Sequence, residues 1–215
     1  SNAFINDLET FKAGRLASIV GAGRTSLDGG APGNAKKMLQ VALANEISVS
    51  ELAAAWMPST PELDVKIAFA RQAGDEAGHF QLVADRLAAL GFDVGAFQPP
   101  VDSPLFLYLK ALTSTVERVA AGLFTLESIA CAVNENFMAY CEQRGDLETV
   151  RIYRDFVQPD ERAHQELGTR LLTKYATTPE LQRAAHTAVA RVLEIATRAR
   201  AIAAERLGTA CFPGC

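Results

Sequence analysis

The sequence predicts an all-α protein: a four-helix bundle of two antiparallel hairpins joined by a long crossover, with one further helix at each end. Three observations carry that prediction. Apolar residues recur at three- and four-residue spacing through long segments rich in Ala, Leu, Glu, Arg and Gln, the pattern of amphipathic helices. Glycine and proline concentrate at a few places between those segments: 21–33, 58–61, 91–104, 145, 177–179 and from 208 onward. No stretch reads as a strand.

The elements follow in order. Phe4, Ile5, Leu8, Phe11, Leu16 and Ile19 make a leading helix over about 4–20, which the glycine-rich stretch then ends. The bundle helices are expected at about 34–57, 61–90, 104–143 (bent near Thr113-Ser114-Thr115) and 146–176, and a last helix at about 179–206. Asp146 and Thr178 suit N-caps, and Pro179 suits a first helical position. Pro58-Ser59-Thr60-Pro61 joins the first pair and Gln143-Arg144-Gly145-Asp146 the second, so each pair is a tight antiparallel hairpin. The Gly91 to Pro104 join is long and carries three prolines, which gives the ferritin-like version of the four-helix bundle. Trp56 is expected to pack at the hairpin end. The two outer helices are expected to cover the bundle or to form a dimer interface.

Ser1-Asn2-Ala3 reads as the remnant of a cleaved expression tag. The rest reads as a single ferritin-like domain over 4–207, with its bundle at about 34–176 and a tail at 208–215. Nearly half the residues are apolar and mean hydropathy is slightly positive, which excludes a disordered chain. Net charge is −4 and pI about 5.5, with no basic stripe. That argues against nucleic acid as an electrostatic partner, while leaving local docking of a structured tRNA open. Charges interrupt every apolar run short of the roughly 18 residues that cross a bilayer. Four cysteines without a dense framework point to a reducing, cytoplasmic setting. Cys211 and Cys215 in Cys-Phe-Pro-Gly-Cys read as a frayed, inert tail rather than a redox pair or metal site. The Gly21-Ala22-Gly23 run lacks a preceding strand, so it is not a dinucleotide loop.

The chemistry concentrates around two of the three histidines. Asp75-Glu76-Ala77-Gly78-His79 and Asp160-Glu161-Arg162-Ala163-His164 lie on the second and fourth bundle helices, and a Glu and a His three residues apart share one helix face. A di-metal carboxylate bundle also needs one Glu from each of the other two helices. Glu46 or Glu51 could serve on the first, and Glu117, Glu127 or Glu135 on the third. Residues at equal height in a hairpin are equally far from its turn. The midpoint of Glu46 and Glu76 is position 61, and that of Glu127 and Glu161 is position 144, both inside the expected turns. The other candidates put the turn inside a helix, so Glu46 and Glu127 are selected. Burying four carboxylates uncompensated would be very costly, and metal ions supply the compensation. Ser50, Cys131 and Asn134, about one turn from the ligands, either line a cavity or simply pack. His186 has no such partner pattern and reads as a surface or capping residue.

A Glu, about thirty residues, then Asp-Glu-x-x-His, twice over, resembles the ferritin-like di-iron carboxylate proteins. Within them the chain is similar to bacterial multicomponent monooxygenases, acyl-carrier-protein desaturases, phenylacetyl-CoA epoxidase subunits and tRNA-hydroxylase-like proteins. Glu76-Ala77-Gly78-His79-Phe80 through Asp85-Arg86-Leu87-Ala88-Ala89-Leu90-Gly91 resembles the last of these in particular. The Arg often found just before the motif histidine is here Gly78 in one copy and Ala163 in the other. The resemblance implies that Glu46, Glu76 and His79 hold one iron and Glu127, Glu161 and His164 the other, with Glu76 and Glu161 bridging. Asp75 and Asp160 would accept hydrogen bonds from the histidines' other ring nitrogens. Manganese suits the same donors. The implied function is a di-iron oxidoreductase that activates dioxygen to hydroxylate, epoxidise or desaturate a small or carrier-bound organic molecule. Its electrons would come from a reductase or ferredoxin. A di-manganese catalase-like enzyme, a ferroxidase or iron-binding protein, and a non-catalytic partner subunit are the alternatives.

Overall fold

The computed structural model describes residues 2–30, 33–99, 101 and 103–214. Among them are seven helices and no strand. We label them α1 (Asn2–Asp28), α2 (Ala35–Ser59), α3 (Leu63–Ala89), α4 (Pro104–Ala111), α5 (115–143), α6 (147–175) and α7 (Pro179–Leu207). Side chains cap several of the starts: Asn34 accepts from the Lys37 amide, Asp146 from Thr149 and Thr178 from Leu181. α2 pairs with α3 and α5 with α6, giving the two expected hairpins. α1 and α7 lie across the second hairpin and against each other.

Two departures from the sequence reading have physical causes. The leading helix continues to Asp28: Gly21 and Gly23 are helical, and Gly23 serves close packing rather than a turn. A methyl at Gly23 would collide with the Asn136 side chain, and the Asn136 amide donates to the Val20 carbonyl at 3.1 Å. The third bundle helix is not merely bent but broken at 112–114. Buried Arg118 caps the break, donating to the Leu112 carbonyl at 2.9 Å and to Thr60 Oγ1 at 3.2 Å.

The tail is neither frayed nor exposed. Thr209, Cys211 and Phe212 are buried. Arg200 donates to the carbonyls of Phe212 and Gly214, and Cys211 Sγ faces the Gly23 carbonyl at 3.2 Å. Cys211 is a free thiol, and Cys215 lies outside the described residues. No helix among the described residues is long and apolar enough to cross a membrane.

The core is split. One apolar cluster holds Val49, Leu52 and Trp56 of α2, Phe69 of α3 and Leu171 of α6; the other holds Leu39 and Leu43, Val83 and Leu87, and Val157. Along α2, α3 and α6 the gap between the clusters is where Glu46, Glu76, His79, Glu161 and His164 sit. A polar layer thus crosses the bundle between two dry halves. Trp56 seals one end, its ring 5.3 Å from Phe69.

Candidate metal centre

α2 and α3 are continuous α-helices, so Glu46, Glu76 and His79 face inward by 3.6-residue periodicity alone. The second hairpin reaches the same point differently. α5 widens into a π-helix over Ala120–Leu126, immediately before Glu127, and α6 does so over Tyr153–Val157, shortly before Asp160-Glu161. The Glu127 amide bonds to the Gly122 carbonyl and the Gln158 amide to the Tyr153 carbonyl, each five residues back. Side chains stabilise the first widened turn. Thr125 donates to the Ala120 carbonyl at 2.6 Å, while Ser128 (2.7 Å) and buried Lys12 of α1 (3.3 Å) both donate to that of Phe124. Gly168 lets α6 approach this turn, since a methyl there would lie 2.7 Å from the Leu123 and Phe124 backbone. Short π segments concentrate at functional sites.

The structure brings all six sequence-selected residues together in the buried layer. Glu46, Glu76, His79 and Glu161 offer donor atoms within 4.8 Å of one another; so do Glu76, Glu127, Glu161 and His164. The two groups share Glu76 and Glu161. All six residues are buried, none more than 5% exposed. His79 turns Nδ1 inward, 3.3 Å from Glu76 and 3.7 Å from Glu46; His164 Nδ1 lies 3.6 Å from both Glu76 and Glu127. The outward nitrogens are held crosswise. His79 Nε2 lies 3.2 Å from Asp160 of the opposite motif, and His164 Nε2 3.0 Å from Asp75. An N–H on each Nε2, donated to its carboxylate, leaves the Nδ1 lone pair free for an ion.

The electrostatics state what the layer lacks. Burial and neighbouring carboxylates, Glu127 first, hold Glu76 and Glu161 well above the usual carboxylate range. Burial opposes charge on the histidines, yet Glu46 and Glu76 raise His79 to about 11, and Glu127 and Glu76 raise His164 to about 10. Glu127 goes down despite burial, through hydrogen bonds from Glu161 and Gln72 and the nearby charge of His164. Glu76, Glu161, His79 and His164 are each held toward the protonated form, so the buried layer favours added positive charge. Glu76 Oε1, Glu161 Oε2 and His164 Nδ1 have no hydrogen-bond partner although buried. Unpaired acceptors of this kind are costly unless a cation or water satisfies them. By donor type, burial and convergence, the cluster fits metal ions.

Sequence reasoning missed several neighbours. Gln72, one turn before Glu76, donates its amide to Glu127; its i−4 position was the available signal. Tyr153 is buried in the α6 π segment with its hydroxyl unpartnered and raised by burial and by the charges of Glu46, Cys141 and Glu161. Of the residues flagged near the ligands, Ser50 donates to the Ala73 carbonyl. Asn134 donates to Gln158 and accepts from the Gly214 amide, so both are committed to packing bonds. Cys131 is half-buried and a free thiol. His186 is exposed, its ring 4.5 Å from that of Phe11.

Residues 34–204 match a family described as "Protein of unknown function (DUF455)". The chain belongs to that family. No curated protein matches it. Among solved structures it is similar to a domain of unknown function with a heme oxygenase-like fold from Shewanella denitrificans OS217. The TM-score is 0.70 at 15% identity, and 96% of each chain is covered. This likeness supports an all-helical, heme oxygenase-like fold.

Proposed function

We propose that the chain is a di-iron oxidoreductase that activates dioxygen for hydroxylation, epoxidation or desaturation of an organic substrate. The observation that carries this reading is the pair of donor groups sharing Glu76 and Glu161, each group with one histidine backed by an aspartate. Imidazole with carboxylate ligation suits iron that must bind and reduce dioxygen. Two bound iron ions would supply the redox equivalents and the open positions for that reduction. Glu46 and His79 would hold one ion and Glu127 and His164 the other, with Glu76 and Glu161 in both donor groups. Asp160 and Asp75 keep each histidine in the tautomer that presents Nδ1. Gln72 holds Glu127 in place, and the apolar clusters on either side exclude water that would divert oxidising equivalents.

For a hydroxylation, one oxygen atom enters the substrate and the other leaves as water, with two electrons and two protons from outside. A cytoplasmic reductase or ferredoxin is the donor in this reading. The substrate is a small or carrier-bound molecule. Kinship with tRNA-hydroxylase-like proteins, carried by residues 76–91, belongs to the same reading.

The test is metal content by plasma mass spectrometry on protein from iron- and manganese-supplemented cells, with an optical spectrum. About two irons per chain, with absorption that bleaches on reduction and returns in air, is the expected result. Two manganese ions with rapid dioxygen release from peroxide would replace the oxygenase by a catalase-like enzyme. A metal-free, colourless protein after anaerobic iron loading would overturn both.

A further inference from the structure

A groove of about 640 Å³ runs between α2, the segment before α4, and the end of α7. That size suits an organic ligand. Its floor is apolar at Val41, Ala44, Phe106 and Leu207, and Gln40, Asn45 and Ser48 add amides and a hydroxyl along α2. Lys37 and Arg206 are its charged residues, and no Asp or Glu lines it among the described residues. Asp102, next to Val101 and Ser103 of the rim, lies outside them.

The two cations differ from their neighbours. Along α7, Arg191 and Arg198 are both bound to Glu194, at 2.7 and 2.8 Å. On α2, Lys36 donates to the Gly91 carbonyl. Among the described residues Lys37 and Arg206 make no ion pair, and both are exposed at the groove's edge. Two unneutralised cations beside an apolar floor attract an anion whose body is greasy. A smaller cavity of about 140 Å³ shares Val41, Asn45, Ser103 and Phe106 with the groove and leads inward to Phe212 and Arg200. At its inner side Gly214 lies against Asn45, the neighbour of Glu46, and its amide is held by Asn134 of α5. The groove therefore has a charged outer edge and, on the α2 side of the polar layer, an inner end lined by Leu105, Ala196 and Phe212 beside the Arg200 guanidinium, which donates to the tail carbonyls.

We propose that this groove binds an amphipathic organic anion, a carboxylate or phosphate ester with an apolar body, its head between Lys37 and Arg206. The binding rests on the groove's own residues; only its role as the substrate's seat rests on the oxygenase reading. Isothermal titration of decanoate, decyl phosphate, decanol and decyltrimethylammonium into metal-stripped and metal-loaded protein tests it. The chain's net charge of −4 would draw the cation non-specifically, so preference for an anion reports the groove.

Both anions, or one of them, should bind at least about tenfold tighter than decanol, with the cation weakest. The better anion identifies a carboxylate or a phosphate as the head. The double variant Lys37→Glu, Arg206→Glu should abolish the preference, and Ala44→Trp should block binding of every probe, with circular dichroism confirming the fold. Equal affinity for decanol and the anions, no anion binding into the millimolar range, or unchanged binding in the charge-reversed variant would each overturn the proposal. Binding to the metal-stripped protein separates this outcome from failure of the metal reading.

Discussion

The two hairpins deliver nearly the same donor set by different means. In α2–α3 the ligands lie on uninterrupted α-helix, and counting residues from the turn is enough to align them. In α5–α6 each ligand Glu follows a π segment. One residue inserted into a helix rotates everything beyond it by about 100°. The aim of Glu127 and Glu161 therefore depends on two local distortions, the first of them held by Thr125, Ser128 and Lys12 and given room by Gly168. The first hairpin is a regular scaffold that happens to carry ligands. The second is shaped around them.

The sharpest way to break this comparison is at the residues both donor groups share. Glu76→Ala or Glu161→Ala should take metal content from two ions per chain to none. Glu46→Ala or Glu127→Ala should leave about one. Equal losses in all four variants, measured by plasma mass spectrometry, would remove the bridging assignment.

Protons test whether the hairpins are equivalent. In the metal-free protein His79 and His164 are raised above their usual 6.5, to about 11 and about 10. A raised histidine stabilises the fold fully below pH 6.5, and that stability is lost as pH rises through the folded value. Glu76 and Glu161, also raised, act in the same direction. The melting temperature of the metal-free protein should fall steadily from pH 6.5 toward 10. Metal loading, which displaces these protons, should flatten the curve. A metal-free protein that grows more stable toward pH 10 would contradict the cluster's charge state.

Next in size are the crossed aspartates. Asp160→Asn should weaken the ion held by Glu46 and His79, and Asp75→Asn the one held by Glu127 and His164, each by roughly 10- to 100-fold. Chelator competition in Glu127→Ala or Glu46→Ala backgrounds resolves which ion is affected. Weakening of the ion nearest in sequence would show that the pairs do not cross in solution.

Glycines give the smallest effects and opposite signs. Gly78 of α3 is exposed with open space around it, so Gly78→Ala should stabilise by about 0.5–1 kcal/mol. Gly168 of α6 abuts the π turn, and Gly168→Ala should destabilise by about 1–3 kcal/mol. Urea denaturation of the metal-free variants measures both.

The same contrast explains what could be read from the sequence. Glu46 and Glu127 were recoverable because both turns carry plain Gly or Pro signals and equal height fixes the partner. The all-helical fold followed from periodicity. The π segments left no such mark: a single extra residue blurs the apolar spacing of 120–126, where every residue is buried and apolar or small. The aspartate crossing was equally hidden, since each Asp precedes its own motif and nothing local says which histidine it serves. The tail misled because Gly208 and Pro213 look like fraying, whereas buried Arg200, which binds it, sits on α7 among exposed arginines.

The crossing of the aspartates has a consequence for assembly. Asp75 belongs to the first hairpin and steadies the second hairpin's histidine, while Asp160 does the reverse. Neither hairpin owns a complete half of the centre, although each carries a full Asp-Glu-x-x-His. A newly made first hairpin can gather Glu46, Glu76 and His79 but leaves that histidine unbraced and the pocket short of Glu161. On the proposed metal reading, tight capture would wait until the second hairpin has docked, so an ion would act as a late latch that closes on the finished bundle and ignores the half-built one.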